Sequence, residues 1–203
     1  MKEFNIIKKY FQEQQRVKRP DVVLGSGDDC ALLQVPAGHE LAVSIDTFIE
    51  GTHFPVGTKA FDVGYKSLAV NLSDLAAMGA NPAWLTATLS LPSIDEYWIK
   101  EFSRGFFSLA SQYNVELVGG DMAKGPLAIT IQAHGFVKKG SGLRRSGAKP
   151  GDSIFVTGKL GGAGYALQCL LGKEESLPGE DQVLAEISLN RPEPRVEIGL
   201  AIK

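Results

Sequence analysis

The chain has 203 residues, 44% of them hydrophobic and 22% charged, with a formal net charge of -2 at pH 7. That length and apolar content support one or two domains with a real core, and the near-neutral balance lacks the basic excess that nucleic acid or an anionic membrane would call for. The sequence has no apolar run long enough to span a bilayer and no signal-like start. Its two cysteines, Cys30 and Cys169, lie far apart without metal-ligand spacing, and read as reduced thiols of a cytoplasmic protein. The 23 glycines fall mostly at predicted strand ends and turns, which suits a protein that handles phosphates through its backbone.

Phe4, Ile7 and Phe11 predict an amphipathic first helix. A basic connector, residues 16–19, leads to Pro20 and a short apolar run at 22–24. That run stops at Gly25-Ser-Gly-Asp-Asp-Cys-Ala31, a glycine turn with adjacent acids, Asp28 and Asp29, feeding an apolar stretch at 31–35. Leu41, Val43 and Ile45 alternate with Ala42, Ser44 and Asp46, a strand of period two that ends at Asp46 and puts Ser44 and Asp46 on one face. Residues 47–55 read as a loop carrying Gly51 and His53.

The central segment, 63–78, is helical: Leu68, Leu72 and Leu75 recur at i, i+4 and i+7. Asp62 is the predicted cap, and Gly79 and Pro82 end the helix. Its only charged side chains are Lys66 and Asp74. A helix this apolar is expected to be buried on more than one side. Asp74 lies roughly 120–160° from the Leu68/Leu72 stripe at ~100° per residue and does not share that seam, so it needs a counter-charge, a metal or a proton. A buried acid capping a neighbouring loop is the other reading.

Residues 84–91 alternate again and stop at Pro92. Ser93-Ile-Asp-Glu96 matches a capping box and opens a long helix that buries Ile99, Phe102, Phe106, Leu109, Ala110 and Tyr113. Residues 115–118 form a strand ending in Gly119-Gly120-Asp121, and Leu127, Ile129, Ile131 and Ala133 alternate in another. The expected fold class is therefore α+β, a mixed sheet packed against helices on one face. The Gly-, Ser- and base-rich stretch 140–150 reads as a boundary between an N-terminal domain, 1–140, and the beginning of a C-terminal α/β domain, 141–203. In the second unit, residues 152–157 look like a first strand, and Gly161-Gly-Ala-Gly164 is a tight turn into a helix at 165–171. The helical pattern resumes near Gln182 and after Pro194. Roughly 50 residues beyond the boundary make a thin core, so the sequence is expected to be cut short and this domain incomplete.

Four acidic sites recur in one setting: Asp28-Asp29 after a glycine turn, Asp46 at a strand end, Asp74 on the apolar helix and Asp121 after two glycines. Carboxylates without Cys or His partners select hard cations, which points to Mg²⁺ completed by water and nucleotide phosphates. Taken singly, each acid could equally be a turn or cap residue. No Walker A motif is present, and Gly161–Gly164 lacks the lysine that would make it one. His53 has no neighbouring nucleophile, and a lone loop histidine is usually structural. Arg144 and Arg145 could clamp phosphate or form a solvated basic turn.

Gly27-Asp-Asp-Cys-Ala31, Ser44-Ile-Asp-Thr47 with Gly51-Thr-His-Phe54, Asn71-Leu-Ser-Asp-Leu-Ala-Ala-Met-Gly79, Gly119-Gly-Asp121 and Arg145-Ser-Gly-Ala-Lys-Pro-Gly-Asp152 occur in order. Together they resemble the bacterial thiamine-monophosphate kinases, of the aminoimidazole-ribonucleotide-synthetase-like superfamily, along essentially the whole chain. The resemblance implies ATP-dependent phosphorylation of thiamine monophosphate to thiamine diphosphate, by a homodimer joined through its N-terminal domains. It implies Mg²⁺ ligation by Asp29, Ser44, Asp46, Asp74 and Asp121. It implies ATP contacts from Gly120, Asp121 and Arg145, and a substrate contact from His53. Where the family often carries a hydroxyl residue, this chain has Ile45, which leaves only a carbonyl to ligate. The family's second aspartate-rich motif and its Gly-Gly-Glu-Asp motif are absent from these residues. Phosphoryl transfer between two phosphates needs alignment and charge neutralisation and no covalent nucleophile or strong base, so none is assigned. Aminoimidazole ribonucleotide synthetase and selenophosphate synthetase, which share the ATP site, and a non-catalytic dimerisation fragment are the rival expectations.

Overall fold

The computed structural model describes residues 3–203, with side chains from Asn5 onward. Four strands form the main sheet: β3 (His39–Ile49), β4 (Asn81–Leu91), β5 (Glu116–Lys124) and β6 (Ala128–Lys138). They lie in the order β3-β6-β4-β5. β6 pairs antiparallel with β3 and with β4, whereas β4 and β5 are parallel. The parallel pair needs a crossover, supplied by α3 (Glu96–Gln112). The result is the α+β class expected, a mixed sheet with helices.

Period-two alternation divides the sheet into two faces. Ile129, Ile131 and Ala133 of β6, with Leu85, Leu89 and Leu91 of β4, belong to the core shared with α3 and α2 (Ala60–Ala77). Leu68, Leu72 and Leu75 of α2 are fully buried in that core, each contributing about 1.5–3 kcal/mol. The opposite face is only partly covered. There the hairpin of β1 (Val22–Leu24) and β2 (Leu32–Leu33) places Val22 and Leu33 against Trp84, Val118 and Phe136. Along the edge strand β3, Leu41, Val43 and Ile45 remain 42–60% exposed.

Several elements differ from the sequence-based expectation. The first helix, α1 (Glu3–Ile7), widens into a π-helical turn, Lys8–Gln12. α2 is preceded by Lys59 with no side-chain cap, and Asp62 sits buried in its first turn, accepting from Nε of Arg191 at 2.6 Å. The capping box at Ser93 is displaced. Asp95 caps α3 by accepting from Tyr97 N and Trp98 N at 2.9 and 3.1 Å, while Glu96 is taken by the Tyr10 hydroxyl at 2.9 Å. Asp46 and Asp121 lie inside strands, because register continues past them, Asp46 opposite Ile131 and Asp121 opposite Thr88. Residues 152–157 form no strand. No strand of the described residues lies beside them to supply ladder hydrogen bonds, and Ile154 and Phe155 are 94% and 88% exposed.

Beyond that segment come α4 (Gly162–Leu170), α5 (Glu180–Asn190) and α6 (Val196–Ala201). α4 and α5 share a small cluster around Ala166, Ala185 and Leu189. α6 returns to the main core, where Val196 is buried and Gly199 lies directly on the Ala76 carbonyl of α2.

Close approach of α2 and α3 rests on two glycines. A Cβ on Gly64 would overlap the Phe102 carbonyl oxygen, and one on Gly105 would overlap that of Phe61. Both obstructions are backbone, so a methyl group can enter only by separating the helices. We expect Gly105→Ala to cost at least the ~1–3 kcal/mol typical of overpacking. Its urea midpoint should fall accordingly; an unchanged midpoint would mean the helices do not meet there.

Candidate functional site

A cavity of about 800 Å³ opens beside the edge strand β5. Asp28 and Asp29 stand on one wall, Gly119, Gly120 and Asp121 on another, and Lys8 and Gln12 of the π-helical turn on a third. The base is apolar, with Phe11, Leu89 and Leu117. Polar contacts fix the walls. The Gln15 side chain accepts from Leu117 N at 2.8 Å, and Arg19 N donates to buried Glu116 at 2.6 Å, tying the N-terminal segment to β5. Gly27, at φ +127°, makes the turn that carries the two acids to the cavity wall. Asp28 accepts from Asp29 N at 2.8 Å and so stabilises its own loop. Gly120 is required where β5 passes Ala87, whose carbonyl a Cβ would overlap. The size and the mix of apolar base with few polar groups match a small-molecule site.

A second group lies on the seam between β3 and α2. Ser44 Oγ donates to Asp74 Oδ2 at 2.6 Å, and half-buried Asp46 follows two residues along the same face of β3. Asp74 is solvent-exposed, which corrects the expectation of a buried acid. α2 buries three of its sides but leaves one stripe open, and Asp74 is on it, so the carboxylate keeps its hydration. Ile45 turns its side chain, 60% exposed, to the opposite face of the sheet. His53 is exposed in the loop after β3. Its Nδ1 accepts from Ile49 N at 3.1 Å and its ring lies 5.6 Å from Phe48, which leaves Nε2 as the outward donor.

The structure thus brings Asp28, Asp29, Gly120 and Asp121 into one cavity and Ser44, Asp46 and Asp74 onto one seam. Arg145 stands apart from the cavity wall, exposed at the start of a short 3₁₀ turn, Arg145–Gly147. Among the described residues no three His, Cys, Asp or Glu side chains form a ready metal shell. The donor chemistry still fits Mg²⁺, which is commonly bound through one or two carboxylates with water and phosphate completing its octahedron. Sequence reasoning missed Lys8 and Gln12. Their spacing of four residues on a predicted helix was a legible sign that they share a face, but nothing in the pattern said which cavity that face lines.

A family model described as AIR synthase related protein, N-terminal domain, matches residues 27–137. Thiamine-monophosphate kinase of Escherichia coli strain K12 is 47% identical over 201 residues, covering 99% of this chain and 62% of the relative. That of Haemophilus influenzae is 48% identical over 203 residues, covering 100% and 61%. Among solved structures, thiamine-monophosphate kinase from Stenotrophomonas maltophilia K279a superposes with a TM-score of 0.88 at 47% identity, over 100% of this chain and 65% of that one. AaThiL complexed with AMPPCP and TMP superposes at 0.75 with 27% identity, over 98% and 60%. The chain therefore spans about three fifths of the length of these relatives. No helix of the described residues is long and apolar enough to cross a membrane. With the matched model spanning more than half of its residues, the chain belongs to the AIR synthase related family and carries that family's N-terminal domain.

Proposed function

We propose that the whole protein transfers a phosphoryl group from ATP to thiamine monophosphate in the cytoplasm, as a homodimer, yielding thiamine diphosphate. The observation that carries this reading is the acid-walled cavity of about 800 Å³, set in a chain 47% identical to thiamine-monophosphate kinase along 99% of its length. The likeness to AaThiL complexed with AMPPCP and TMP supports the same pair of ligands.

In this reading residues 1–140 form the ATP, Mg²⁺ and dimerisation domain and 141–203 begin a second one. Asp29 and Asp121 in the cavity and Ser44, Asp46 and Asp74 on the seam would hold Mg²⁺ ions, which when bound neutralise charge between two phosphate groups. The Gly120 backbone and Asp121 receive the nucleotide. Arg145 reaches its phosphates from outside the cavity, and a guanidinium suits that because it binds phosphate bidentately. His53 offers Nε2–H to the acceptor substrate. A phosphate oxygen is already ionised near pH 7, so the protein has only to align attacker and leaving group.

The metal requirement has a direct test. Carboxylates on the cavity and seam repel a triphosphate unless a cation accompanies it, and a ligand that binds only the folded chain raises its stability. With Mg²⁺ and ATP at about 100 times Kd, the melting midpoint should rise roughly 5–10 °C. ATP with EDTA should hardly move it; equal shifts under both conditions would remove Mg²⁺ from the account.

The half-covered sheet face supports the proposed dimer. Leu41, Val43 and Ile45 lie exposed along the edge strand β3, which pairs with β6 on one side and with no strand of the described residues on the other, a face and edge that natural sheets cover or pair. We expect two copies to bring these faces together across a two-fold axis with the helices outside. Sedimentation at micromolar concentration should give twice the chain mass, and a monomer with intact circular dichroism would contradict it.

A further inference from the structure

α2 has one open stripe, made of Lys66, Val70, Ser73, Asp74 and Ala77. At about 100° per residue these five fall within roughly a third of the helix circumference. We infer that Lys66 is a phosphate-contacting residue of the β3/α2 seam, the cation through which an acidic site accepts a polyphosphate. This deepens the kinase reading and rests on it.

Lys66 is half-buried, and none of the ion pairs among the described residues includes it. The acid one turn before it, Asp62, is already bound to Arg191. Burial holds the Lys66 ammonium below its ordinary pKa, with no carboxylate among the described residues to offset the cost. A long stem can cover apolar surface while its head stays in water, but that gives no reason for the head to stand where it does. The Ser44–Asp74 hydrogen bond marks one point at which α2 lies beside β3. The chain reverses between the two elements, so α2 runs back along the strand. Two strand residues, about 6.6 Å, match four to five helix residues at 1.5 Å each. Asp46 therefore comes level with Val70, and Lys66 lies one turn further on. The seam offers two carboxylates for a divalent cation and then one ammonium for the anion that cation carries. The ligand it fits is a phosphate chain presented with Mg²⁺.

The test uses inorganic tripolyphosphate with Mg²⁺ as one probe and ATP with Mg²⁺ as another, titrated into the full-length protein and its variants. Lys66→Met keeps the apolar stem and removes the charge; Lys66→Arg keeps the charge. Loss of one charge-assisted contact should weaken tripolyphosphate binding about tenfold or more in Lys66→Met, and Lys66→Arg should stay within about threefold of the parent. Without ligand, the melting midpoint of Lys66→Met should be unchanged or higher, because a half-buried charge with no ion-pair partner among the described residues has gone. Unchanged affinity in Lys66→Met would overturn the assignment, as would an unsubstituted protein that ignores tripolyphosphate. A Lys66-dependent response to tripolyphosphate with none to ATP would sustain the phosphate contact and remove the kinase reading.

Discussion

Everything in this molecule depends on α2 lying flat against the sheet and against α3 at once. Leu68, Leu72 and Leu75 are buried, and Gly64 and Gly105 remove the side chains that would hold the two helices apart. A helix clamped on three sides has a single stripe left for solvent. That stripe meets the open edge of β3, and the meeting is fixed by the 2.6 Å hydrogen bond from Ser44 to Asp74. Polar residues of strand and helix are thereby held opposite one another by elements too well packed to shift, which is how a site acquires geometry before any ligand arrives.

The same economy shapes the cavity beside β5. Its acidic loop has little structure of its own and is held by neighbours: the β1–β2 hairpin against Trp84, and Gln15 and Arg19 against Leu117 and Glu116. Glycine supplies a turn at Gly27 and a close backbone approach at Gly120, so carboxylates and main chain stand together on the cavity wall. A protein that must bring two anions into contact needs cations more than it needs a base. In the proposed function the carboxylates would supply places for divalent cations, and Lys8 stands on the wall of the same cavity.

Much of this was legible in the chain. Alternation in β3 put Ser44 and Asp46 on one face, and the leucine spacing found α2 and its two charged residues. What could not be read were effects of pairing and competition. Asp46 looked like a strand end because a loop-like segment with Gly51 follows it, and Asp121 because two glycines precede it, yet β6 and β4 extend their registers past both. Asp62 had the look of a cap, but Arg191, distant in sequence, claims it. Asp74 was expected to be buried because apolar residues surround it in sequence; only the placement of α2 at an edge strand leaves it open to water. Residues 152–157 have a strand's composition and no strand beside them among the described residues. Ladder partners and long-range ion pairs are three-dimensional facts that a local pattern does not contain.

The central claim is that these acids serve phosphoryl transfer onto a phosphate monoester. Its most direct test is ADP release from Mg²⁺-ATP by the full-length protein, with thiamine monophosphate, aminoimidazole precursors and selenide compared as acceptors. Turnover is expected with thiamine monophosphate, with stoichiometric thiamine diphosphate, and none above background with the other two acceptors. Turnover confined to either of the others, or an equal rate with unphosphorylated thiamine, would contradict it.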